Sequence, residues 1–137
     1  MVRTLIHASS WQRQLLEFQR RCESATPEEE ADLIREGFSL FALVPPSWGL
    51  ALCRNGKREL EEMFAVGAYA SAAMALLDPE INFMVSRGRR SLHFASVVLP
   101  GQKSESSGVA DTLGLALLAA LAAALGELAR FRLHAKG

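Results

Sequence analysis

Three histidines, two cysteines, a serine-rich stretch and two knots of basic residues are the places where this chain has the residue types for chemistry. His7, His93 and His134 form no H-x-x-x-H pair and join no carboxylate-rich helical motif, so no metal site is expected. Cys22 and Cys53 match no C-x-x-C pattern. Free buried thiols are the expected state, with a single Cys22–Cys53 bridge as the alternative. Ser104, Ser106 and Ser107 fall in a polar stretch before an apolar helix, where serines more often cap than attack. Nucleophilic catalysis needs a base and an oxyanion donor beside the nucleophile. No such set is visible, so no enzyme is expected, and no catalytic, cofactor-binding or metal-ligating residue is assigned.

The basic knots are the surface feature with most to say. Arg87, Arg89 and Arg90 crowd one turn, and Arg54, Lys57 and Arg58 crowd an earlier one. Guanidinium forks suit phosphate oxygens, so a weak nucleic-acid or phosphate-ligand module is the alternative function. The plainer reading is a solvated loop tip that blunts edge pairing. Lys+Arg and Asp+Glu are equal at 15 each, and no aromatic residues interleave with the basic ones to stack bases. Nucleic acid is therefore disfavoured as a partner. Zero net charge also removes the self-repulsion that keeps copies of a protein apart.

The elements that must position these residues follow from periodicity. The 137 residues suit a single domain, residues 1–137, able to bury a core without staples. Residues 1–45 read as a helical segment. A first helix is expected to start near Ser9 or Ser10 and to carry a stripe of Trp11, Leu15, Phe18 and Cys22. Thr26, Pro27 and Glu29 form a capping-box start for a second helix, with Ile34, Phe38 and Phe41 inward and Gly37 marking close packing or an early end. Pro45-Pro46 stops it. Trp48–Cys53 is either a short strand or an extended link.

Residues 57–130 read as a helix–β-hairpin–helix unit. Its first helix spans about Lys57–Leu77 with a break at Gly67, using Met63, Val66, Ala70, Ala73 and Leu77 as its apolar stripe. The period then falls to 2. Ile81, Phe83 and Val85 alternate with Asn82, Met84 and Ser86, a turn at Ser86–Arg89 uses Gly88 at positive φ, and Leu92–Leu99 returns. Gln102–Gly108 reads as a polar loop, and the last helix as Val109–Arg130. Leu113–Gly126 carries no polar residue but falls short of the ~20 residues that a spanning helix needs. It is expected to be buried on several sides rather than in a membrane. The N-terminal stretch lacks the apolar core of a signal peptide, so a cytoplasmic protein is expected.

Ala68–Leu77 (AYASAAMALL), then Asp78-Pro79, an aromatic-bearing hairpin and an Ala/Leu-rich helix, resemble the phage ABA sandwich domain family. Tyr69, Ser71, Ala73, Leu76, Leu77 and Pro79 fit its first part. Phe83, His93–Val98 and Pro100-Gly101 fit its hairpin, and Thr112–Leu117 fits its helix start. The resemblance is best over Tyr69–Glu127. It implies a small phage or prophage protein and hands over no catalytic residue.

The expected fold class is α+β, a two- or three-stranded antiparallel sheet packed by helices. A hairpin alone is marginal, and the helices offer more apolar surface than it can cover. A homodimer whose edge strands pair across a two-fold axis would supply the missing surface. The expected function is a phage- or prophage-derived accessory protein acting through protein–protein contacts, with an unidentified protein partner. A small ligand held between hairpin and last helix is a third reading.

Overall fold

Leu15, Phe18 and Cys22 recur at helical spacing on one side of the first helix, and all three are buried together with Trp11. In the computed structural model, which describes residues 2–134, that helix is α1 (Val2–Ser24). It does not begin at Ser9 or Ser10 but runs through both. Serine is only mildly unfavourable inside a helix, and a cap signal yields to neighbours that favour continuing the turn.

The second start follows the sequence. Thr26 lies in extended backbone, its N–H donating to Glu29 Oε1 at 3.0 Å, and Pro27–Glu29 forms a 3₁₀ turn that opens α2 (Glu30–Phe41). Ile34, Leu33, Leu40 and Phe41 are buried and Phe38 half-buried. Gly37 marks close packing. A Cβ there would stand 3.2 Å from Phe18 Cζ and 3.2 Å from Phe41 Cε2. Trp48 closes a 3₁₀ turn (Pro46–Trp48), and residues 49–53 are irregular chain, not a strand, pinned where Cys53 N–H donates to Leu76 O at 3.0 Å.

The helix expected over Lys57–Leu77 is two helices, α3 (Lys57–Ala65) and α4 (Tyr69–Met74), separated at Gly67 with φ 73°. Leu60 and Phe64 face the core, while Val66, expected on the apolar stripe, caps the end of α3 just before the break and is 80% exposed.

Three antiparallel strands follow in the order β1 (Asn82–Arg87), β2 (His93–Val98), β3 (Ser106–Ala110). The third takes the end of the expected Gln102–Gly108 loop, from Ser106 onward. The hairpin turn also differs. Gly88 has φ −94°, and the left-handed residue is Arg90 at φ 61°. Glycine at 88 makes room for the Phe94 ring, since a Cβ would come 2.6 Å from Phe94 Cε2 and the ring would have to shift.

The last helix, α5 (Leu113–His134), starts later than Val109, because β3 runs on to Ala110 and Thr112 forms the cap. Leu115 N–H donates to Thr112 Oγ1 at 3.1 Å. Residues Leu115 to Leu125 are buried apart from Ala123, and α5 packs against α1, α2, α4, β2 and β3. The stretch Leu113–Arg132 is long and apolar enough to cross a membrane, but 72% of its window is buried inside the fold, as in a soluble protein's core helix. The architecture is α+β, with α5 packed on the sheet and α1, α2 and α4 packed on α5.

Two acidic groups lie inside. Glu30 is buried and accepts a hydrogen bond from Thr112 Oγ1 at 2.6 Å. Gly114 leaves room for that carboxylate. Asp78 is buried at the entry to β1 and accepts from Ala51 N–H at 2.6 Å and Glu80 N–H at 2.7 Å. These backbone donors, Ala51 first, hold its carboxyl below the usual carboxylate range, with Arg54 adding to the effect.

A folded-state pKa below the unfolded one means stability that is present above about pH 4 and lost as pH falls through the folded value. Asp78→Ala is expected to cost about 2–3 kcal/mol at neutral pH, because two buried N–H groups lose an ionised acceptor. In urea titrations the gap between variant and wild type should narrow below about pH 4.

Candidate functional site

The side chains expected to carry chemistry are scattered. Cys22 and Cys53 are free, and burial pushes both thiols up to about 12. Neither is a poised nucleophile, since attack requires the thiolate. Cys53 Sγ instead lies 3.4 Å from Phe38 O. His93 is half-buried on the helix-facing side of β2, and its Nδ1 has no hydrogen-bond partner among the described residues. The side chains of His7 and His134 lie outside the described ones. Among the described residues no group of three His, Cys, Asp or Glu is placed to hold a metal ion. Ser106 and Ser107 belong to β3, and the helix cap falls to Thr112 instead of the serines.

The basic knots are exposed but not joined. Arg87 ends β1, and Arg89 and Arg90 form the hairpin tip. Arg54 lies by Asp78, just before β1 begins, and Lys57 and Arg58 open α3. Arg58 is engaged with Glu62 at 3.4 Å. The six residues of β1 separate Arg54 from the hairpin tip by about 17–20 Å. The two knots therefore do not converge on one phosphate.

A groove of about 760 Å³ lies between α1, β3 and α5. Its floor is Ala122, Ala123 and Gly126, and Arg13, Leu16 and Glu105 stand on its walls. A small ligand between hairpin and last helix is the third reading; α5 packs directly on β2 and β3, most closely at Gly108 of β3.

The outer side of the sheet is uncovered by any other element among the described residues. Cross-strand partners share a face, so Met84, Ser96 and Ser107 stand in one row, and Ser86, Phe94 and Val109 in the next. With Asn82 and Val98 these make an outer face without a charged side chain. Met84 is 75% exposed and Phe94 40%. On the inner side, α5 covers β2 and β3 while reaching little of β1. Phe83 consequently stays 39% exposed although it points to the helical side. Strand alternation marked these residues in the sequence. That β1 would stand clear of the helices was not legible there, because it depends on where α5 crosses the sheet.

Comparison with protein-family models, curated proteins and solved structures finds no match to this chain.

Proposed function

We propose that this chain acts through protein–protein contacts made by its open sheet, and that a second copy of itself is the first partner. The observation that carries this reading is the uncharged outer face, where Met84 and Phe94 are exposed with no layer over them. An uncharged face meets its own copy without like-charge repulsion, and the chain as a whole has zero formal charge. Exposed apolar residues grouped on one face mark contact sites better than single scattered ones.

The resemblance to the phage ABA sandwich domain family supports a phage- or prophage-derived accessory role. Two free thiols fit the cytoplasm as the compartment. Binding of nucleic acid or a phosphate ligand by the arginine turns is the weaker reading, because the two knots stand at opposite ends of β1.

The test is Met84→Lys, which sets a charge at the centre of the contact. Light scattering over a concentration series should show wild type tending to twice 14.9 kDa and the variant remaining at 14.9 kDa. Identical curves for the two proteins would remove the sheet from the contact.

A further inference from the structure

The two edges of the sheet are treated differently. On the β3 side α1 lies alongside, packed on both β3 and α5. β1 has β2 as its single strand partner among the described residues and is exposed at every position except half-buried Val85. Natural edges are blunted by lysine, proline, bulges or covering elements. Between Asn82 and Ser86 β1 has neither lysine nor proline, and its register with β2 is unbroken.

The backbone groups that β1 offers can be identified. Gly88 N–H donates to Leu92 O at 2.8 Å, in line with the β1–β2 register. In an antiparallel ladder the direction of N–H and C=O alternates residue by residue. Ser86, Met84 and Asn82 therefore turn these groups toward β2, and Phe83, Val85 and Arg87 turn theirs outward.

Building on the reading that the sheet contacts a second copy, we propose that two chains join edge to edge through β1, antiparallel across a two-fold axis at Met84. Phe83 then lies opposite the partner's Val85, and each exchanges both backbone hydrogen bonds with the other. Neighbouring registers are poorer. Moving the axis to Phe83 would bring Ile81, already buried in its own core, into the pairing. Moving it to Val85 would set Arg87 against Phe83. At Met84 the Asn82–Ser86 pairing contains no charged residue, Arg87 lies just past its end beside the partner's Ile81, and the two copies of Arg87 stand about 20 Å apart. Phe83 and Val85 meet their counterparts on the helical side, where α5 leaves β1 uncovered. The product is a continuous six-stranded sheet.

Directly opposite residues at a non-hydrogen-bonded pair have Cα atoms about 4.5 Å apart, within disulfide reach. Met84→Cys should therefore cross-link to its own copy on mild oxidation. Ser96→Cys should not, because the two β2 strands would lie about 14 Å apart across the axis. As a second measure of register, Asn82→Cys mixed with Ser86→Cys should give the mixed dimer, with little cross-linking of either alone. The native thiols interfere little, since Cys22 is fully buried and Cys53 half-buried. Light scattering on the reduced proteins accompanies each reaction. Dimer mass with the Met84→Cys link and without the Ser96→Cys link supports the register. Dimer mass without the Met84→Cys link, or with a Ser96→Cys link, overturns the register and leaves self-contact standing. Monomer mass at every concentration, with no link, overturns both.

Discussion

Gly108→Ala is expected to destabilise the protein by about 3 kcal/mol, though it adds one methyl group. Glycine inside a strand is ordinarily a cost, because it loses more backbone freedom on folding and brings no side chain to the core. Here it is required. A Cβ at 108 would stand 2.5 Å from Ala116 O, 2.7 Å from Ala120 N and 2.8 Å from Ala119 Cβ. Two of those atoms are backbone in the central helix, so relief means moving α5 away from the sheet. The contrast is Gly126→Ala in the same helix, where the nearest atom to the new methyl is 4.0 Å away. That change should stabilise by about 0.5–1 kcal/mol, the usual helix preference for alanine. Urea unfolding of the two variants should move the midpoint in opposite directions.

Phe18→Ala is the second large expected loss, about 4 kcal/mol. Phe18 is fully enclosed and meets Phe41 edge to face, with ring centroids 5.6 Å apart at 89°. Its ring also fills the space that Gly37 leaves open, close to Leu118 of α5. One side chain thus joins three helices, and truncation leaves a cavity that close-packed neighbours cannot collapse to fill. Leu16→Ala, two residues away on the exposed side of α1, should fall within about 0.5 kcal/mol of wild type. Thermal melts followed by circular dichroism would separate the two.

These two sites also show what was legible in the sequence. Phe18 was, because the i, i+4, i+7, i+11 stripe of α1 is a local pattern that one packing face explains. Thr26-Pro27 and Glu29 were, because capping is settled within four residues. β3 was not. Its buried residues are Gly108 and Ala110, small because α5 lies so close, and they leave no apolar alternation to read. The burial of Glu30 was not legible either, since it depends on Thr112 and Gly114, more than eighty positions away.

The candidate surface divides the same way. The alternation around Met84 and Phe94 named the residues of each face. The exposure of β1 came only from the placement of α5 over its neighbours, a tertiary fact with no local signature.

The mass of the wild-type protein in solution bears most directly on whether the open sheet is a contact surface. Light scattering across a dilution series should give a weight-average mass that rises toward twice 14.9 kDa as concentration increases. A mass fixed at 14.9 kDa up to millimolar protein would contradict self-contact through the sheet.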